Sequence, residues 1–422
     1  MQPLRQLRSA LFRLAPPLAI AVAIACEPSL RGAEATPPRT ELGYPDIRIH
    51  SSSEIGAPRG SRFVSLDRNG RILYSAEGEL SAFDGSEWKR VSAPGRRNQE
   101  DFVSVKAGPD GELYVGGFAF WGVLETDFKG RYVARNLSTL DQEASASMDY
   151  MNQIAFRGDE VYFAGLDRLA RWSPASGSKV WEIPSLDQIF EHGGEIFVVQ
   201  QNAGIFRLAE DELHPIEASA EILSKDSNSA RSALWFDGRR AIYNTRRGLV
   251  LFDGSRLEDI PDPLAQRMKG KWVNDMQRVD GQLIALSVSG EGLVFIDRNG
   301  EIVMKADKAL DPRLTECGSI VVAPDHSVWT TLSDGVAQIL YPSPITFIDQ
   351  RFGVPLNYFS FHRWNDALYI RASGKLYRSE YGENGLMDGF SAVDSLPEGV
   401  VLSAHPTERG LLLGINDQLH RL

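Results

Sequence analysis

The feature that most constrains this fold is a repeat. Short apolar segments, each centred on an aromatic or large aliphatic anchor residue, recur in steps of 35 to 48 residues. The anchors are Tyr74, Tyr114, Tyr162, Phe197, Tyr243, Ile284, Trp329, Tyr369 and Leu412. A period of about 40 residues is typical of an array in which similar units stack on one another.

The local pattern within each repeat indicates β-structure. The apolar segments are short and rich in β-branched and aromatic residues, and no stretch beyond residue 35 keeps a helical apolar spacing for three turns. Hairpin-forming dipeptides separate the segments: Asn69-Gly70, Asp84-Gly85, Asp110-Gly111, Asp253-Gly254 and Asn299-Gly300. We therefore predict an all-β fold, a β-propeller of four-stranded antiparallel blades with seven to nine repeats.

The number of blades that close into one ring stays open. Eight repeats are complete, and a ninth ends after its third strand. In one arrangement a short N-terminal strand, Asp46 to His50, completes the ninth blade and closes a single large ring. In the other, seven blades close and two begin a second propeller. A nine-bladed ring exceeds the usual size, whereas two unclosed blades leave a long exposed edge.

The first 35 residues are typical of an export signal. Arg5, Arg8 and Arg13 precede an apolar stretch over residues 14–25, which is too short for a permanent membrane span of about 20 residues. Two processing routes fit: cleavage after residues 33–35, or lipidation of Cys26 in a lipobox-like segment. We expect residues 36–43 to form a spacer, residues 44–422 to form the propeller repeats, and the mature protein to be periplasmic or extracellular.

Several repeats resemble a known family. The segment DHSVWTTLSDG from Asp325 to Gly335 is followed by SPITF at 343–347 and RFGV at 351–354. Similar segments occur earlier: LYVGG at 113–117, FWGVL at 120–124, GRYV at 130–133 and NLS at 136–138. Together they resemble the periplasmic propeller repeats of two-component regulators, over roughly residues 44–422. His326 stands where that repeat usually has glycine, and Thr331 and Leu332 replace its usual Gly-Thr pair.

This resemblance implies the sensor region of a receptor like a hybrid histidine kinase. In that family the propellers precede a β-sandwich, a membrane helix and a cytoplasmic kinase or cyclase. The resemblance therefore implies a membrane-bound signalling partner or a further output domain. It also implies a small polar ligand, with an oligosaccharide as the expected class.

The residues themselves point away from catalysis and from nucleic acids. The net charge of −11 disfavours a nucleic-acid groove. The sequence has no nucleophile elbow, phosphate-binding loop, zinc-binding helix motif or dinucleotide loop. Its seven histidines have no ligand spacing, and Cys317 lies in an apolar run that predicts a buried thiol. We predict no catalytic residue, cofactor or metal.

Ligand-binding candidates come from one end of the predicted blades. Loops between second and third strands, and segments leading into inner strands, meet at one face of a propeller. Those positions carry aromatic rings, amides and guanidinium groups, which suit a sugar or another polar ring. The candidates are Phe118, Phe120, Trp121, Tyr150, Asn152, Arg246, Arg247, Trp272, Asn274, Asn357 and Tyr358. Packing between blades and turn geometry explain the same residue types equally well.

The sequence thus supports an exported, non-enzymatic, ligand-sensing propeller. The first alternative is a cell-surface interaction scaffold without a small ligand. The second is a propeller-fold glycan lyase or hydrolase, which would need converging carboxylates or histidines in the central funnel.

Overall fold

The fold is a set of antiparallel sheets in chain order. The computed structural model describes residues 43–91, 102–118, 120–126, 128, 132–138, 150–222, 231–260, 267–343, 345–354, 360–382 and 387–422. Within these ranges there are nine sheets, eight of four strands and one of three. The predicted signal segment with Cys26, and the spacer up to residue 42, lie outside the described residues.

The first four blades are consecutive meanders. Blade 1 consists of Ser61–Leu66, Ile72–Ala76, Glu79–Phe83 and Trp88–Val91, and blade 2 of Phe102–Ala107, Leu113–Gly117, Phe120–Thr126 and Tyr132–Asn136. Blade 3 consists of Gln153–Arg157, Glu160–Ala164, Arg168–Ser173 and Gly177–Glu182, and blade 4 of Leu186–His192, Glu195–Gln200, Gly204–Ala209 and Glu212–Pro215.

Blades 5 and 6 repeat this pattern, and blade 7 departs from it. Blade 5 consists of Arg231–Leu234, Arg240–Asn244, Gly248–Phe252 and Leu257–Asp259, and blade 6 of Val273–Arg278, Ile284–Val288, Gly292–Ile296 and Ile302–Ala306. Blade 7 takes Ile320–Val322, Val328–Leu332 and Gly335–Leu340 from its own repeat and Asp46–His50 from the N-terminal side. Short helices are Ser52–Ile55, Ser219–Ile222, Pro312–Thr315 and Gln350–Phe352, the last two of 3-10 type.

The N-terminal strand Asp46–His50, hereafter the closing strand, seals the ring. It pairs antiparallel with Gly335–Leu340, with Asp46 opposite Leu340 and His50 opposite Val336. The expectation that this strand completes the ninth blade is therefore wrong. Pairing here covers the outer edge of blade 7 and joins the two ends of the ring in one sheet, so a seven-bladed ring closes without an open edge.

Packing between blades confirms a ring of seven. Seven clusters of buried apolar residues each join one pair of neighbouring blades. The seam between blades 7 and 1 joins Trp329 and Val336 to Val64 and Tyr74. Replacing one such buried ring by alanine costs about 3–5 kcal/mol, so the seams account for much of the stability.

Eight of the nine anchors are buried, but they do not all face the same way. Tyr114, Tyr162 and Phe197 face the following blade. Tyr74 and Ile284 face the preceding one. Successive side chains on a strand point to opposite sides, so an anchor displaced by one residue changes the seam that it fills.

The five predicted glycine turns are confirmed as hairpins. Gly70, Gly85, Gly111, Gly254 and Gly300 all have positive φ. His326, which replaces the glycine usual in the resembling repeat, also adopts a left-handed conformation with φ 65°. The histidine therefore occupies the backbone shape for which glycine is ordinarily favoured.

Two sheets follow the ring. One consists of Ser360–Trp364, Ala367–Ala372, Lys375–Tyr381 and Met387–Ala392, and the other of Val401–Thr407, Gly410–Ile415 and Gln418–Arg421. They share their own apolar cluster, which includes Tyr369 and Leu413. The first sheet also packs against the connecting segment around Phe352 and against Tyr44. None of the described helices is long and apolar enough to cross a membrane.

Gly335 provides a test of ring closure. A Cβ at this position would lie 2.0 Å from the His50 carbonyl oxygen of the closing strand, and φ is +102°. We expect Gly335→Ala to lower the free energy of unfolding by at least about 2 kcal/mol, from the unfavourable φ plus overpacking. Amide hydrogens of residues 46–50 should also exchange faster.

Gly85→Ala is the matched control. Gly85 has a similar φ of +98°, but a Cβ there would meet no atom within 4 Å. The free energy of unfolding of this variant should fall by about 1 kcal/mol, because only the backbone conformation is unfavourable. Equal losses in urea denaturation and unchanged exchange of residues 46–50 in both variants would contradict the closure described above.

Candidate functional site

A funnel lies where the inner strands of the seven blades meet. The cavity has a volume of about 660 Å³, within the usual range for small-molecule sites. Every blade of the ring contributes to its wall: Arg62, Val103, Gln153, Gln188, Arg231, Asn274 and Leu332. Among the described residues, side chains from all seven blades of the ring thus converge on this funnel.

Gln153 joins two blades at the funnel wall. Its Nε2 donates to the Asp187 carbonyl oxygen at 2.9 Å, and its Oε1 accepts from the Ile189 N–H at 2.9 Å. Both atoms of one amide thus pair with the backbone of the next blade. Gln188, beside Asp187 on the same strand, has an Oε1 that is buried and without a hydrogen-bond partner.

A second chain of contacts joins blades 5, 6 and 7. Arg231 Nε donates to the Asn274 carbonyl oxygen at 2.7 Å, and Asn274 Nδ2 donates to the Cys317 carbonyl oxygen at 2.8 Å. Asp275 Oδ2 accepts from the Ile320 N–H at 2.8 Å. Residues that line the funnel therefore also hold the blades together. A ligand there would contact these hydrogen bonds between blades, hereafter the clamps.

Asp275 is a strongly perturbed carboxylate of the funnel. Burial raises its pKa to about 6, although its hydrogen bonds from the Ile320 and Met276 N–H groups and the Arg231 charge act in the opposite direction. Asp187, by contrast, lies 3.9 Å from the Arg231 guanidinium. The funnel therefore holds carboxylates in two different electrostatic environments.

Lys106 brings a positive charge close to the ring axis. It lies on the inner strand of blade 2, and its Nζ donates to the Ile154 carbonyl oxygen at 3.1 Å. Burial lowers the pKa of the ammonium, and the charges of Arg240, Asp275 and Glu191 also act on it. Those three groups lie on blades 5, 6 and 4, and Lys106 is not among the residues that line the funnel.

The structure brings only some of the predicted site residues together. Asn152 and Asn274 line the funnel. Phe118 and Tyr150 form a bridge outside it, with their ring centroids 4.9 Å apart. Trp272 is 46% exposed and is not part of the funnel wall.

The other predicted residues play different roles. Phe120 and Trp121 are buried in the seams of blade 2, so their rings offer no surface to a ligand. Arg246 and Arg247 are exposed in a turn capped by Asn244, and the Arg247 guanidinium contacts Asp259.

Two predicted residues cannot be placed. Asn357 and Tyr358 lie outside the described residues, as does Cys26. Among the described residues, no group of three histidines, cysteines or carboxylates is arranged to hold a metal ion.

Sequence reasoning missed most of the charged funnel residues. Arg62, Arg231 and Asp275 lie at or just after the start of an inner strand. Asn274 was identified there, but its neighbour Asp275 was not. The signal was position: polar residues within the first three places of several inner strands line the funnel, as Arg62, Gln153 and Asp275 do.

Other clefts lie at the seams and involve fewer blades. A cavity of about 620 Å³ lies between blades 1, 2 and 3 beside Tyr114 and Trp172. Another, of about 550 Å³, lies between blades 7 and 1 beside His50 and Trp329. Most of the aromatic groups there pack against one another. The funnel remains the site with the most converging polar side chains.

Comparisons with known proteins show the fold. No protein-family model matches the sequence, and no curated protein matches it. Among solved structures, the chain is similar to two extracellular domains named for hybrid two-component systems of B. thetaiotaomicron. One is 13% identical over 88% of this chain with a TM-score of 0.59, and the other is 14% identical over 90% with a TM-score of 0.54. This chain spans about half the length of each, 52%.

A third similar structure belongs to an enzyme. Virginiamycin B lyase from Staphylococcus aureus is 12% identical, with a TM-score of 0.53, over 70% of this chain and 99% of the lyase. At sequence identities this low, the structural similarity shows the propeller fold and does not show an activity.

The pKa of Asp275 gives a pH prediction. Because the folded-state pKa is raised above the ordinary value near 4, the folded protein binds this proton more tightly, and that stabilisation is lost as pH rises through about 6. Asp275→Asn lacks this titration. Relative to the unchanged protein, we expect the free energy of unfolding of Asp275→Asn to rise by about 1–2 kcal/mol as the pH increases from about 4.5 to about 7.5.

Denaturation in urea at both pH values measures this difference. Asp159→Asn, in an exposed turn of blade 3, is the control and should follow the unchanged protein at both pH values. An Asp275→Asn variant that also follows the unchanged protein would show that Asp275 is not held in a desolvated site.

Proposed function

We propose that this protein is the extracytoplasmic ligand-sensing module of a two-component-type receptor and that it binds a small polar ligand in the funnel. The observation that carries the proposal is the convergence of amide and charged side chains from five of the seven blades on one cavity of about 660 Å³. Such a site, with a few placed polar groups, suits a small ligand better than a large partner.

The clamps between blades suggest how binding is sensed. Gln153, Arg231 and Asn274 line the funnel and also bond to neighbouring blades. A ligand that engages these groups changes the strength of the contacts between blades 3 and 4 and between blades 5, 6 and 7. The ligand then favours one arrangement of the blades over another, and a sensor requires such a difference in affinity between two states.

The receptor role rests on likeness rather than on the site. The two similar extracellular domains are named for signalling systems, and the repeats resemble those of two-component regulators. The export-type first 35 residues agree with a place outside the cytoplasm. A carbohydrate or another small polar molecule is the ligand class that the funnel residues can hydrogen-bond.

Binding can be tested directly on residues 36–422. We expect one or more members of a panel of neutral oligosaccharides, amino acids and short peptides to raise the melting temperature, because a ligand of the folded state stabilises it. Arg62→Ala and Asn152→Ala should each lower the affinity for that ligand about tenfold, which is the effect of one lost hydrogen bond.

Arg59→Ala is the matched control, because Arg59 lies three residues from Arg62, outside the funnel wall, and is 85% exposed in its side chain. It should bind like the unchanged protein. Equal weakening by Arg59→Ala would place the site elsewhere. The ligand should be recovered chemically unchanged, and its conversion would identify an enzyme instead.

The receptor role has its own test in the genome. We expect a membrane-spanning kinase or cyclase to be encoded in frame with this chain or in a neighbouring gene, because a sensor needs an output. DNA sequence on both sides of the coding region decides this. A neighbourhood with no signalling gene would contradict the receptor role and leave ligand binding in place.

A further inference from the structure

Charges near the funnel axis fall into paired and unpaired groups. On blades 4 and 5 they are matched: the Arg231 guanidinium lies 3.9 Å from Asp187, and Arg240 donates to the Glu191 carbonyl oxygen at 3.4 Å. The Glu191 charge also raises the pKa of Arg240 against the larger effect of burial. These two blades therefore contribute little net charge.

Blade 1 contributes a cation without a salt-bridge partner among the described residues. Arg62 is exposed in the funnel wall and forms no salt bridge there. Lys106 of blade 2 is not part of that wall. Its Nζ donates to the Ile154 carbonyl oxygen at 3.1 Å, and the charges of Asp275 and Glu191 already act on it.

Blade 6 and the turn before blade 7 contribute two carboxylates whose bonded partners are neutral. Asp275 accepts from the backbone N–H groups of Met276 and Ile320. Glu316 accepts from the Ser289 hydroxyl at 2.8 Å. Both line the funnel, and no lysine or arginine in the described residues lies within salt-bridge distance of either.

The funnel wall thus holds a cation without a salt bridge, Arg62, at one place and two carboxylates, Asp275 and Glu316, at another. A neutral ligand that fills the cavity would remove water from both groups and compensate neither, which is costly. A simple anion or cation would satisfy one group and repel the other. Compensation of both groups requires a ligand that carries both signs, separated along its length.

Gln188 adds an independent preference. Its Oε1 lines the same cavity, is buried, and has no hydrogen-bond partner. A buried acceptor without a partner favours a ligand that brings an N–H or O–H donor. The volume of about 660 Å³ exceeds what one amino acid fills and leaves room for a short peptide.

We propose that the funnel binds a zwitterion, a short peptide with a free ammonium group and a free carboxylate. The carboxylate faces Arg62, and the ammonium group faces Asp275 and Glu316. This assignment rests on the proposed function, in which the funnel is the ligand site, and narrows its ligand to one chemical class.

Calorimetric titration with defined probes tests the assignment. A panel of unmodified di- and tripeptides is compared with the same peptides acetylated at the amino end or amidated at the carboxyl end, and with neutral oligosaccharides. At least one free peptide should bind, and blocking either end should weaken it at least tenfold.

Variants show which funnel residues contact the carboxylate of the peptide and which contact its ammonium group. In Arg62→Gln, amidation should no longer weaken binding, because the partner of the carboxylate is gone. In Glu316→Gln, acetylation should lose its effect. Lys89→Met is the control, since Lys89 pairs with Asp84 and Glu87 on blade 1, away from the funnel wall, and should retain both penalties.

The outcomes separate this inference from the proposed function. Tight binding of neutral oligosaccharides, with no binding of free peptides, would overturn the zwitterion and leave a ligand-binding funnel. No binding by any probe would overturn both. Arg62 is exposed, so Arg62→Gln should fold and keeps the test valid.

Discussion

Pairing between the closing strand and the last strand of blade 7 holds the whole ring. The strand Asp46–His50 lies against Gly335–Leu340, so two segments far apart in the chain become neighbours in one sheet. The Ser61 hydroxyl at the start of blade 1 donates to the Gly335 carbonyl oxygen, which ties blade 1 to the same place. Without this pairing, blade 7 would keep an open edge and the seam between blades 7 and 1 would lose its support.

Closure also creates the funnel, because seven inner strands converge only when the ring is complete. The residues at the starts of those strands then serve two purposes. Asn274 bonds to the Cys317 carbonyl oxygen and faces the cavity, and Gln153 does the same toward the Asp187 backbone. Stability and binding are therefore carried by the same groups, which is how a site in a rigid ring can affect the ring itself.

Sequence reasoning predicts the local parts of this fold well. Glycine turns, short β-branched strands and the 40-residue period are local signals, and the structure confirms the blades that they predict. The sequence did not show which strand pairs with Asp46–His50, because that strand lies far away in the chain. The orientation of Tyr74 was not readable either, because a shift of one residue turns a side chain to the other seam.

The site was predictable only in part, for a related reason. Trp121 and Asn152 look equally suitable as ligand contacts in the sequence, yet one fills a seam and the other lines the funnel. The charged residues gain their meaning from one another: Arg231 of blade 5 lies 3.9 Å from Asp187 of blade 4, and its charge also acts on Asp275 of blade 6. Such convergence exists only after the ring has closed.

Cysteine cross-linking measures ring closure most directly. In residues 36–422, where Cys317 is buried, Arg48→Cys with Gln338→Cys places two thiols on directly paired positions. A short bifunctional reagent should link this pair, and mass spectrometry should find the joined peptides. Arg48→Cys with His420→Cys, on the last strand of the ninth sheet, should remain unlinked. Efficient linking of the second pair and not the first would contradict a seven-bladed ring.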